Sequence, residues 1–203
     1  MKQHPLLDAV AQNLPFLTVG GLWGSSKAYA AALIRRETAA PCLLVTPTQK
    51  RAEELFEDLT FFQKIGLLPV APEHIHLYSQ WNIAPYEHAA PLRDIVAERL
   101  TVLDKLSNHE NIVVVAPDEA ALHRTIPRAA LREFSILVGV GEELNREQLA
   151  AMLVDTGYKH AHLVESRGEF SIRGGILDLF PAFGDRPIRI EFFGDTVESL
   201  REF

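Results

Sequence analysis

One cysteine, Cys42, is all the sequence has. That excludes an intramolecular disulfide and any cysteine-rich metal cluster, and it makes a reducing cytoplasm the expected setting. No run approaches the ~20 apolar residues of a membrane helix. The opening stretch MKQHPLLDAVAQNLPFL lacks the compact apolar core and small-residue cleavage site of a signal peptide. Positive charge is short too: 20 Lys+Arg stand against 27 Asp+Glu, a formal net charge of −7. Divided near residue 125, neither part is basic, which speaks against a nucleic-acid-binding module. Internal repeats and low-complexity segments are missing as well. What is present is an ordinary globular composition, 47% hydrophobic and 23% charged over 203 residues, enough for one or two domains. The chain stops at Arg201-Glu202-Phe203 directly after a strand-like run, which reads as a cut in a longer protein.

The first 125 residues alternate short apolar runs with helical patterns. Phe16-Leu17-Thr18-Val19 is a strand candidate, and Gly20-Gly21 opens a loop after it. The spacing of Ala28, Ala31, Ala32 and Leu33 predicts a helix over about 26–36. Cys42-Leu43-Leu44-Val45 is a second strand, closed by Thr46-Pro47-Thr48, and Thr48 caps a helix reaching about Lys64. Further strands are expected at 75–79 and 112–115, with an amphipathic helix over 94–106 between them. Strands alternating with helices mean βαβ units and a parallel sheet.

After Pro127 the pattern changes. A strand-like FSILVGV (134–140) precedes a helix opened by Asn145, with Gln148 as capping-box partner, that ends near Gly157. Consecutive strands follow: HAHLVES, EFSIR, ILDLF, IRIEFF and TVESL. Gly174-Gly175 and Gly194-Asp195 mark two-residue hairpins. This part is expected to be a smaller α+β domain with an antiparallel sheet.

Gly21-Leu22-Trp23-Gly24-Ser25-Ser26-Lys27-Ala28 sits where a phosphate-binding loop would, between a strand candidate and a helix. A working loop needs glycine before the lysine, so that backbone N–H groups wrap the phosphates, and a hydroxyl after it for Mg²⁺. Ser26 and Ala28 fill those places. Residual nucleotide binding and an inherited loop that binds nothing are the two readings, and the missing hydroxyl favours the second. Asp118-Glu119, after an apolar strand, imitate the acidic motif of an ATPase, but Pro117 precedes them and they suit the first turn of a helix. His160 and His162 share a strand face and would suit one metal, yet no Cys or carboxylate triplet accompanies them, so solvated histidines are the expectation. Cys42 lies in an apolar run and reads as core. No Ser-His-Asp ordering carries a nucleophile-elbow signature.

In Ile188-Arg189-Ile190-Glu191-Phe192-Phe193, alternation buries Ile188, Ile190 and Phe192 and puts Arg189, Glu191 and Phe193 on the other face. The same rule in 169–173 buries Phe170 and Ile172 and leaves Arg173 on the polar face. If the hairpins pair as read, Arg173 and Arg189 share one side of one sheet. An exposed phenylalanine beside arginines has the composition of a protein-binding anchor. Alternation alone leaves this level with a second reading, in which Phe193 packs under a loop or a segment outside this sequence and the arginines are solvated cover.

The run ESRGEFSIRGGILDLFP (165–181), continued by RIEFFGD (189–195), resembles the second domain shared by the UvrB excision-repair proteins and the bacterial transcription-repair coupling factors. Upstream, WNIAPYE (81–87) and DIVAERL (94–100) look like the first domain of the coupling factors, so the likeness covers nearly the whole chain. UvrB proteins keep an intact phosphate loop and insert a tyrosine-rich DNA-clamping hairpin. Ser26, Ala28 and the short 74–91 segment depart from both, and point to the coupling factors. The resemblance implies a RecA-like, degenerate P-loop domain over 1–125 and a UvrA-interaction domain over 126–203, cut before it is complete. It further implies UvrA binding through Arg173, Arg189 and Phe193, no catalytic or metal site, and no cofactor in this fragment. The parent would be an ATP- and Mg-dependent DNA translocase that acts on RNA polymerase stalled at lesions. The rivals are a UvrB-like ATPase half-site using Lys27 and, less suited to the acidic charge, a duplex-DNA-binding fragment.

Overall fold

The computed structural model describes residues 5–12, 15–83, 92–133, 135–182 and 186–203. The chain forms two compact units, Met1–Ala90 with Val102–Arg124, and Pro91–Thr101 with Thr125–Phe203. The first unit opens with α1 (Pro5–Ala11), a short helix with no buried residue. It continues through α2 (Ser26–Thr38), β1 (Cys42–Thr46), α3 (Gln49–Lys64), a 3-10 turn at Pro72–His74 and β2 (Ile75–Leu77). Helix α4 (Arg93–Ser107), divided between the two units after Thr101, precedes β3 (Val113–Pro117) and α5 (Asp118–Leu122).

The three strands form one parallel sheet in the order β1-β3-β2, with Leu43 opposite Val114 and Ile75 opposite Val113. Central β3 is buried at every position, as an apolar run covered on both faces should be. Val113 and Val115 pack with Ala28, Ala32, Ala52 and Leu59, where the alanines let α2 and α3 approach the sheet closely. Val114 and Ala116 face the other way, onto Tyr78, Val102 and Ala120. Thr48 caps α3 as expected, its hydroxyl accepting from the Arg51 N–H at 3.3 Å. Half-buried Cys42 belongs to this core, and burial pushes its thiol above the ordinary value.

The second unit holds α6 (Arg128–Glu133), α7 (Arg146–Asp155), β4 (Lys159–His160), β5 (Glu169–Arg173), β6 (Ile176–Phe180), β7 (Ile188–Phe193) and β8 (Thr196–Glu202). The five strands lie in sequence order in one sheet. Asn145 caps α7 by accepting from the Gln148 N–H at 3.0 Å. Leu149 and Leu153 of that helix pack on Phe170, Leu177, Ile190, Phe192 and Val197, the inner face of the sheet. The same side borders an apolar cavity of about 780 Å³ lined by Leu153, Leu179, Ile188 and Leu200 among others. Gly174 turns the β5–β6 hairpin at φ +59°, and Gly194 turns β7–β8 at φ +64°, backbone that suits a residue without Cβ.

Several sequence expectations need correcting. Residues 16–19 form no strand: Phe16 is 82% exposed and the segment pairs with nothing among the described residues. Residues 135–140 also form no strand, although Ile136 and Val138 still pack on the core while Leu137 is 92% exposed; Phe134 lies outside the described residues. HAHLVES contributes only its first histidine to a strand, and β4 runs parallel to β5, so the sheet is mixed where an antiparallel one was expected. Side chains supply the reason. The Glu169 carboxylate accepts from the N–H groups of Glu165 (3.1 Å) and Ser166 (2.9 Å), and Ser171 donates to the His162 carbonyl at 3.2 Å. Those bonds satisfy the backbone that a longer ladder would have used. Of the 81–87 motif, residues 84–87 lie outside the described residues, as does all of 74–91 beyond residue 83.

Candidate partner-binding face

The outer face of the five-stranded sheet gathers the arginines. Strand register places Asp178 of β6 directly opposite Arg189 of β7, and Arg189 opposite Arg201 of β8. Arg173 of β5 lies opposite Ile176, one diagonal step from Asp178. Cross-strand neighbours on one face touch, so register makes this cluster. Asp178 Oδ1 accepts from Arg189 Nε at 2.6 Å, and its Oδ2 accepts from Arg189 Nη2 at 2.8 Å and Arg173 Nη2 at 2.7 Å. The carboxylate is 2% exposed, although it lies on the side of the sheet away from the core. Both guanidiniums meet it from this side, and buried Ser171 stands directly opposite on β5. The Arg189 hydrogen bonds above all, and Arg173 after them, hold the Asp178 carboxyl below the usual carboxylate range, and Asp178 in turn raises Arg189.

Phe193 ends β7 on this face and is 80% exposed, against 8% for Phe192 beside it. Within the described residues no loop covers Phe193. Beyond Arg189, the Phe203 ring lies with its centroid 5.0 Å from the guanidinium carbon, in cation–π range. Glu191, next to Arg189 on the same face, is engaged by Arg201 and by the Ser199 hydroxyl, the latter at 2.7 Å. Arg173, Arg189 and Phe193 therefore share one face as alternation requires. Asp178 escaped the sequence reading. Its signal was a lone acid inside the apolar strand ILDLF.

At the loop before α2 the geometry is different. Gly21 and Gly24 have positive φ, +75° and +51°, and the Ser26 hydroxyl donates to the Trp23 carbonyl at 2.7 Å. Ser25 donates to Asp58 at 2.9 Å, Lys27 is exposed and Trp23 is 85% exposed. Ala28 is fully buried against the sheet, so the position after the lysine belongs to the core. With no strand over 16–19, the strand–loop–helix context of a phosphate loop is missing. Asp118 and Glu119 open α5 directly after β3, as the helix-start reading expects. The His160 ring lies 5.1 Å from that of Phe170, and among the described residues no three His, Cys, Asp or Glu side chains gather as a metal site. Among the described residues no helix is long and apolar enough to cross a membrane.

The UvrB interaction domain family matches residues 136–203, the stretch that carries the arginine face. Over 184 residues the chain is 36% identical to the transcription-repair-coupling factor of Myxococcus xanthus, covering 90% of this chain and 15% of that protein. Identity to the Bacillus subtilis (strain 168) coupling factor is 33% over 199 residues, 98% of this chain and 16% of that protein. UvrABC system protein B of Fervidobacterium nodosum is 26% identical over 204 residues, with 98% of this chain and 31% of that protein covered. The chain thus spans a small part of the length of the curated relatives it matches.

Proposed function

Because the chain belongs to the UvrB-related family of transcription-repair-coupling factors, we propose that it is a recruitment module of nucleotide excision repair that docks UvrA. The observation that carries this reading is one exposed aromatic, Phe193, on the same sheet face as two arginines gathered on a buried acid, inside the matched domain. Arginines supply charge-assisted hydrogen bonds and the phenylalanine supplies an apolar anchor, the pairing that dominates interface energetics. In this reading residues 126–203 are the UvrA-interaction domain, and residues 1–125 are a RecA-like scaffold whose nucleotide site is lost. The longer parent supplies ATP-driven translocation on duplex DNA and displacement of stalled RNA polymerase.

The test is calorimetric titration of UvrA with the 203-residue chain. Phe193→Ala and Arg173→Ala should each lower affinity at least about tenfold, the size of a modest hot spot. Phe193 is exposed, so its melting temperature should stay within a few degrees of wild type. Undiminished affinity in both variants would overturn the reading. A second titration addresses the loop before α2: ATP with Mg²⁺ should give no heat of binding up to millimolar nucleotide, and a Lys27-dependent micromolar signal would restore the ATPase rival.

A further inference from the structure

We propose that Asp178 is the positioning residue of the docking face: its buried carboxylate sets both guanidiniums before a partner arrives, and the preset face takes a carboxylate-bearing surface. This inference rests on the UvrA reading above. An ionised carboxylate out of water needs partners, and Asp178 has three charge-assisted hydrogen bonds at 2.6, 2.7 and 2.8 Å. Arg189 meets it side-on through both Nε and Nη2, a planar fork that fixes the rotation of the guanidinium. Phe203 lies against that same group. Arg189 is thus held on two sides.

Arg173 is held differently. It spends only Nη2 on Asp178, its side chain is 53% exposed, and among the described residues its Nε and Nη1 have no acceptor. One carboxylate against two guanidiniums leaves a surplus positive charge, and the nearby Glu191 does not cancel it because Arg201 already engages that acid. The open donors and the surplus call for a carboxylate on the partner, placed beside an apolar pocket for Phe193. Fixing the arginines beforehand removes part of the rotamer entropy that binding would otherwise cost.

The charge of Asp178 makes the test sharp. Against an acidic partner surface, Asp178→Asn adds net positive charge, so a purely long-range electrostatic role predicts tighter binding. Positioning predicts weaker binding. Titrations of UvrA would compare the wild-type chain with Asp178→Asn and with Val197→Ala, a core truncation on the opposite side of the same sheet. The expected result is a loss of about tenfold or more for Asp178→Asn. Val197→Ala should lower the melting temperature and keep wild-type affinity. In the free wild-type chain, the Arg189 Nε–H should appear by NMR as a distinct, slowly exchanging resonance, and Asp178→Asn should abolish it. Unchanged or tighter binding of Asp178→Asn, or an equal loss in Val197→Ala, overturns the proposal. If wild type shows no UvrA binding, the UvrA reading fails and the NMR arm alone decides the positioning claim, which falls if Arg189 Nε–H exchanges freely.

Discussion

Asp178 shows how far a single position can depend on its neighbours. In the strand ILDLF an aspartate reads as the polar residue of an alternating pattern, and alternation does put it on the outer face. Only the register reveals that Arg189 stands directly across and Arg173 diagonally, where both hydrogen-bond the buried carboxylate. The titration of Asp178 follows from that environment. Its pKa is lowered from an ordinary 3.8, chiefly by the Arg189 hydrogen bonds. The ionised form is therefore favoured in the fold, and the stability this contributes is present above the unfolded value and lost as pH falls through the folded one. Urea midpoints should show the wild-type chain more stable than Asp178→Asn at pH 6, with the gap closing below pH ~3.8. A gap that stays constant to pH 2.5 would mean the carboxylate carries no such linkage. Arg173, Arg189 and Phe193 were legible because alternation alone assigns their face.

Among the elements, the hairpins were the most legible part of the fold and the isolated apolar runs the least. EFSIR and IRIEFF carry an alternating pattern, and glycines at 174–175 and 194 mark the turns that join them to ILDLF and TVESL, so local turn chemistry and side-chain period agree. Phe16-Leu17-Thr18-Val19 has the same composition without a partner strand, and it stays irregular. The pairing of β7 with β8 adds a feature that no pattern announced. Glu191 pairs with Ser199 and Phe192 with Val197, so Glu198 is an extra residue in β8. That bulge lets Val197 and Leu200, three apart, both face the core while Ser199 and Arg201 reach Glu191 on the outer face. The β5–β6 turn is tight as well. A Cβ at Gly175 would stand 2.9 Å from the Phe192 carbonyl oxygen, and Gly175 O accepts from the Phe192 N–H at 2.7 Å. Gly175→Ala should therefore cost about 1–3 kcal/mol, through backbone shifts that a denaturant titration reads directly. A midpoint equal to wild type would show that the hairpin yields without penalty.

At the scale of the whole chain, two cores form from separate sets of residues, one around β3 and its helices, one under the five-stranded sheet. Their chemistry diverges. The first sheet is parallel and buries its central strand β3 on both faces, whereas the second keeps one face for charge. Leu59→Ala, at a fully packed position of the first core, should destabilise that unit by about 2–5 kcal/mol. Hydrogen exchange should then quicken at the amides of β1, β3 and α3 and remain unchanged in β5 to β8. Faster exchange across both sheets would show that the units unfold as one.

Periodicity and turn residues were sufficient for the parallel class of the first sheet, for the antiparallel hairpins of the second, for most helices, and for the side of the second sheet on which its arginines and Phe193 stand. Those features depend on neighbours within a few residues of each other along the chain, and side-chain period is a local property. The parallel pairing of β4, the loss of the 16–19 strand, the burial of Ala28 at the former loop and the gathering of two guanidiniums on Asp178 depend on residues far apart in sequence. No local pattern encodes which strand lies alongside which. Tertiary register decided them, because hydrogen-bond partners and shelter from water exist only once the strands have met.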